Sequence, residues 1–181
     1  MGALQKDIGK VFFGVRRSVR YHNRRTRFFD QFSKTTKFIT ALSGTAAFAS
    51  FMSAAPTWLS FLLLGVVTIS SILDLIVNSS QSARLHSDLA HRFFTLEKEI
   101  IGIADPTQDH LTDITAKRLD IEAEEPPPLK VLDCICHNEL LRAMGYGPSE
   151  FVEISFLQRL TANFFDHREH TIIKKRGACT P

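Results

Sequence analysis

The sequence predicts an all-α protein: a two-transmembrane helical hairpin extended by long cytoplasmic helices, with additional C-terminal cytoplasmic helices. Three observations carry that prediction. Residues 38–73 form a run of 36 residues without Asp, Glu, Lys, Arg or His, too long for one crossing at about 20 apolar residues each and close to enough for two. Pro56 sits at the midpoint of that run, where a residue that cannot donate a helix hydrogen bond and favours a helix's first turn marks a turn between two helices. Residues 1–37 hold ten Lys or Arg against Asp7 and Asp30, a net charge of +8 that leaves −5 for the rest of a chain whose total is +3. By the positive-inside rule the basic flank stays in the cytoplasm, and two crossings bring the C-terminus back to the same side.

The elements follow in order. Residues 1–37 predict a basic cytoplasmic helix continuous with the first span, because Phe12, Val15, Val19, His22, Thr26, Phe29 and Ser33 recur at three- and four-residue steps. The first span, 38–55, is rich in small residues; Ala41, Thr45, Ala49 and Ser53 share one face at four-residue spacing, and such faces let helix backbones approach closely in lipid. The second, 57–77, is bulkier and begins at Trp58, a residue suited to the membrane interface. Leu85, Leu89, Phe93, Leu96, Ile100 and Ile103 continue the helical pattern through 78–104, and this helix is expected to pair antiparallel with the first over about 40 Å. Residues 111–170 predict further cytoplasmic helices: one over 111–124 stopped by Pro126-Pro127-Pro128, one over 129–144 ended by Gly145, and an amphipathic one over 149–170 carrying Phe151, Ile154, Phe156, Leu157, Leu160 and Phe164. Residues 171–181 read as a loose basic tail. Cys134, Cys136 and Cys179 fall on the reducing side and are expected as free thiols.

Four clusters carry a resemblance. They are Arg20-Tyr21-His22-Asn23-Arg24-Arg25 before the first span, Gly44 within it, Ala83-Arg84-Leu85-His86 with Phe93 after the second, and a late motif. That last runs Ile121-Glu122-Ala123-Glu124-Glu125-Pro126, then Leu132-Asp133, then Cys136-His137-Asn138-Glu139. The chain resembles the SLATT family of two-transmembrane effector domains associated with bacterial nucleotide-signal conflict systems. The resemblance covers most of the chain. It implies an oligomer that forms a pore or breaches the membrane when a partner senses infection, and it marks Tyr21, His22, Arg25, Arg84, His86, Pro126, Asp133, His137, Asn138 and Glu139 as motif positions. No sensor or nucleotide-synthesising domain is fused to these residues, so the trigger is expected to be a separate nucleotide-type signal or sensor protein.

Arg17, Arg20, Arg24 and Arg27 stand at three-, four- and three-residue steps and form a row on one helix face. Topology and anionic lipid account for part of it. Two further roles stay open: an intramolecular ionic contact with Asp120, Glu122, Glu124 and Glu125, or a phosphate-bearing ligand gripped bidentately. Asp74, the first charge after the apolar block, marks the cytoplasmic interface or, alternatively, an acidic ring at a pore mouth. Ala41, Gly44, Thr45, Ala49, Ser53, Thr68 and Asp74 are the candidates for hairpin packing or pore lining. His22, His86, His91 and His137 are expected to satisfy polar neighbours between helices. Cys134, Cys136 and His137 do not make a zinc site, because no second ligand pair stands at metal spacing.

There is no GxSxG, Walker, GxGxxG or HExxH motif, so neither an enzyme nor a cofactor is expected. The membrane tether and the acidic remainder argue against nucleic acid. The expected partners are membrane lipid and further copies of the chain, in the bacterial inner membrane with both termini cytoplasmic. The rival expectation is a non-conducting, membrane-anchored helical interaction protein that recruits cytoplasmic partners; a holin, with little need of a long helical head, ranks last.

Overall fold

A computed structural model describes residues 2–43 and 57–166, and of residues 43, 57–64 and 66 it describes the backbone alone. The fold of the described residues is all-α, with no strand among them. The elements are α1 (Ala3–Ser43), α2 (Thr57–Val77), α3 (Ser79–Ile101), α4 (Gln108–Glu122), α5 (Lys130–Ala143), a 3₁₀ turn (Pro148–Glu150) and α6 (Phe156–Thr161). Among the described residues no helix is long and apolar enough to cross a membrane. The spans expected at 38–55 and 57–77 fall largely on residues outside that description or described by backbone alone, and Gly44, Thr45, Ala49, Ser53 and the 171–181 tail all lie outside it.

The chain divides into two compact units, Met1–Arg24 with Ser87–Pro181, and Arg25–His86. In the first, Ile8 and Val15 of α1 bury against Leu89, Phe93, Leu96 and Ile100 of α3 and Ile114 and Ile121 of α4. Removing these aliphatic and aromatic faces from water is the main force holding the helices together. α1 and α3 run antiparallel: Arg16 Nε lies 2.9 Å from Glu97 Oε1, and His22 stacks on Phe93 with ring centroids 5.6 Å apart. A second cluster joins Tyr21 of α1 to Val131, Leu132, Ile135 and Cys136 of α5 and to Ala162. In the other unit the same antiparallel sense recurs, with Phe29 stacked on His86 at 5.6 Å and Ser33 Oγ 3.2 Å from Ser80 Oγ.

Helix ends follow local chemistry. Thr107 caps α4 by accepting from the His110 amide, and Ser155 caps α6 by accepting from Gln158. The free amides at the start of α5 find distant partners: Leu129 N–H donates to the Tyr21 hydroxyl (3.0 Å) and Lys130 N–H to Asp166 (3.2 Å). α5 ends in a Schellman motif, with Tyr146 N–H donating to Leu141 and Gly145 N–H to Arg142. Gly145 carries φ 83°, which costs glycine nothing.

Three sequence expectations are corrected. The helix expected to run unbroken from the second span into 78–104 is interrupted at Asn78, whose φ of 47° ends α2 before α3 begins. Asparagine tolerates this left-handed conformation because its short polar side chain bonds locally, here to Gln81. Leu85 leaves the expected stripe and is exposed, while Ala83 and His86 take the buried positions. Of the long amphipathic helix expected over 149–170, the described part, 149–166, is instead the 3₁₀ turn, an extended stretch and the six-residue α6. Its buried residues are Val152 and Ala162; Phe156, Leu157, Leu160 and Phe164 face outward. Asn138 is the physical reason. Its side-chain amide donates to Val152 O (2.7 Å) and accepts from Val152 N–H (2.9 Å), satisfying both backbone groups as a strand neighbour would.

Candidate functional site

Two places gather the residues singled out by sequence. The first lies at the end of the described part of α1, in the Arg25–His86 unit. Thr36, Lys37, Thr40 and Ala41 of α1 and Ser71 and Asp74 of α2 line an open pocket of about 410 Å³. Lys37 and Asp74 are the two charges that bound the 36-residue uncharged run, so the ends of that run stand side by side. Ser79 donates its hydroxyl to Asp74 Oδ1 (2.8 Å), and Lys37 Nζ donates to Ser80 Oγ (3.3 Å). Around this pocket the large apolar side chains are exposed, including Phe38, Leu42, Ile69, Ile72, Leu75 at 82% and Ile76 at 73%. Thr68 is exposed as well.

The second place is the basic face of α1 in the first unit. Arg24 Nη1 pairs with Glu139 Oε1 at 2.5 Å. Arg17 Nε lies 3.2 Å from Asp133 Oδ1, within ion-pair distance but off the line of a hydrogen bond. Arg20 is half-buried between these two, near Cys136. The Cys136 thiol is pushed up to about 12, first by burial, then by the Glu139 charge, with Arg24 opposing. Arg27 is exposed in the other unit.

The ionic contact expected for the arginine row is therefore present with different acids. Glu122 bonds Arg118 one helical turn back (2.6 Å), Glu124 bonds Arg92 (2.5 Å), and Glu125 reaches His22 (2.8 Å). Asp120 is exposed. The Pro126-Pro127-Pro128 stop ends the acidic run before α5 begins. It is α5 that presents Asp133 and Glu139 to the row.

Most motif positions are structural. Tyr21 anchors the start of α5 through its hydroxyl. His22, His86 and His137 are buried, each against a phenylalanine: Phe93, Phe29 and Phe13. Neither ring nitrogen of His137 has a hydrogen-bond partner among the described residues. Arg25 lies over the Phe29 ring at 4.4 Å. Asp133, Asn138 and Glu139 make the contacts already given, Pro126 is half-buried, and Arg84 and His91 are exposed. Sequence reasoning missed the buried Glu97 that meets Arg16, the Asn138 clamp, and Lys117 between Glu99 (2.8 Å) and Asp113 (3.0 Å). Only the Asp113–Lys117 spacing of four residues was a signal. Among the described residues no group of three His, Cys, Asp or Glu is arranged to hold a metal ion.

No family model, no curated protein and no solved structure matches this chain.

Proposed function

We propose that the chain is an oligomeric membrane effector of the SLATT kind, whose hairpins assemble to form a pore or breach the bacterial inner membrane when triggered, as part of an anti-phage defence. The observation that carries the reading is the meeting of Lys37 and Asp74 at one pocket, ringed by exposed apolar side chains. A hairpin inserted from one side must bring the two ends of its uncharged segment to the same depth. Apolar side chains as exposed as Leu75 and Ile76 call for lipid or another subunit. A single hairpin cannot enclose a water path, so conduction requires several copies. In this reading the first unit lies on the cytoplasmic side, and its trigger is a nucleotide-type signal or a sensor protein.

The rival is a non-conducting anchor whose helical head recruits partners. Its support is the outward face of α6, where Phe156, Leu157 and Leu160 stand exposed, with Phe164 exposed just beyond it.

A potential-sensitive dye in bacteria expressing the protein, with and without phage infection, tests the proposal. Depolarisation lost in Ala49→Leu, which fills the small-residue face, supports an assembled pore. Release of the wild-type chain from membranes by alkaline carbonate removes the membrane reading altogether. Retention without depolarisation in either condition favours the anchor.

A further inference from the structure

The pocket at Lys37 and Asp74 holds two opposite charges that do not pair with each other. Among the described residues neither has an ion-pair partner; Lys37 Nζ has a 3.3 Å contact to Ser80 Oγ, and Asp74 accepts the Ser79 hydroxyl with Oδ1. Charges near an apolar segment are costly unless they meet water or a partner of opposite sign. The pocket's volume of about 410 Å³ lies within the span of small-molecule sites.

Two threonines also line the pocket. Thr36 donates its hydroxyl to the carbonyls of Phe32 and Ser33, and Thr40 donates to the Thr36 carbonyl. Their hydroxyl hydrogens are thereby engaged within α1. The pocket thus offers a cation for a phosphate, from Lys37, and a carboxylate for an N–H donor, from Asp74. None of the six described lining residues is aromatic, so these residues offer no cage for a quaternary ammonium.

We propose that this pocket binds a phosphoethanolamine group, its phosphate on Lys37 and its primary ammonium on Asp74, with the headgroup of a membrane phospholipid as the natural source. The inference rests on the membrane reading above for its lipid source, and on the pocket's own geometry for its chemistry. A phosphoglycerol headgroup meets Asp74 without a compensating charge, and a phosphocholine headgroup brings no N–H for it.

Native mass spectrometry of the full chain in detergent, with equimolar phosphatidylethanolamine, phosphatidylglycerol and phosphatidylcholine, tests the assignment. The expected result is retention of phosphatidylethanolamine about tenfold over the others, the scale of one charge-assisted hydrogen bond. Lys37→Ala and Thr40→Leu each reduce that retention, the second by filling the pocket, and Asp74→Asn shifts preference toward phosphatidylglycerol. Far-UV ellipticity checks that the variants remain helical. Soluble O-phosphoethanolamine forms a second arm. If it binds and the lipid does not, the pocket's chemistry stands and its lipid source falls, an outcome distinct from release of the chain by carbonate. Equal retention of all three lipids with no binding of the soluble compound, or retention unchanged in every variant, overturns the proposal.

Discussion

His22 Nε2 lies 2.8 Å from Glu125 Oε1, joining α1 to the segment before the triple proline across 103 residues of sequence. The imidazole is 1% exposed and stacks on Phe93, which is itself fully buried. Two helices and a loop therefore converge on one ring.

The convergence makes His22 a stability residue. His22→Ala leaves a void beside Phe93 and strands the Glu125 carboxylate, at an expected cost of about 3 kcal/mol. Glu125→Gln keeps an acceptor and costs about 1 kcal/mol or less. Urea unfolding of the full chain, followed by far-UV ellipticity, ranks the two variants. An equal cost would mean that the ring contributes nothing beyond its hydrogen bond to Glu125.

Arg24 and Glu139 are both partly exposed, so their pair is worth little on its own, about 0.5–1 kcal/mol. Reversing Arg24 to Glu sets two carboxylates face to face, and the double reversal Arg24→Glu with Glu139→Arg restores most of the lost stability. Reversing Glu122 or Glu124 instead gives no rescue, because those acids already serve Arg118 and Arg92. A double-mutant cycle in the thermal midpoint separates the two cases.

Asn138 holds Val152 through both of that residue's backbone groups. Asn138→Ala leaves an amide and a carbonyl unsatisfied beside a buried side chain, at about 1–3 kcal/mol for each group if water does not enter. Limited proteolysis should then cut within 145–155 several times faster, while cleavage elsewhere stays unchanged. Asn138→Asp keeps the acceptor and loses the donor, so its cutting rate should fall between the two.

Cys136 is fully buried, and its thiol is raised from an ordinary value of 9.0 to about 12. In the unfolded chain it ionises near its ordinary value, so between these limits the folded state binds more protons. The thiol's contribution to stability is full below about pH 9 and is lost as pH rises toward 12. Iodoacetamide at pH 8 should leave Cys136 untouched in the folded chain and label it in denaturant. Peptide mapping distinguishes it from Cys134, also buried.

Much of the helical framework was legible in the sequence because its signals are local. Apolar spacing along 1–37 and 89–100, the triple proline and Gly145 each act within a turn or two of chain. They set the all-α class and the approximate ends of the helices at the triple proline and Gly145. The excess of basic residues before the uncharged run is likewise a property of sequence alone, and so is the run itself.

Partner choice was decided by tertiary structure. Every carboxylate attracts an arginine over the same range, so a row of arginines and a run of acids predict pairing without saying which meets which. Arg118 and Glu122 found each other along one helix, while Arg24 met Glu139 only because the Tyr21 cluster docks α5 against α1. The end of the last amphipathic pattern was decided the same way: Asn138, from another element, satisfied the backbone of Val152 and made an extended segment as good as a helix there. The sequence alone determined the helices and the two charges that bound the uncharged run; the tertiary structure alone brought Lys37 and Asp74 to one pocket, because proximity across 37 positions depends on how helices pack and not on how they are spelled.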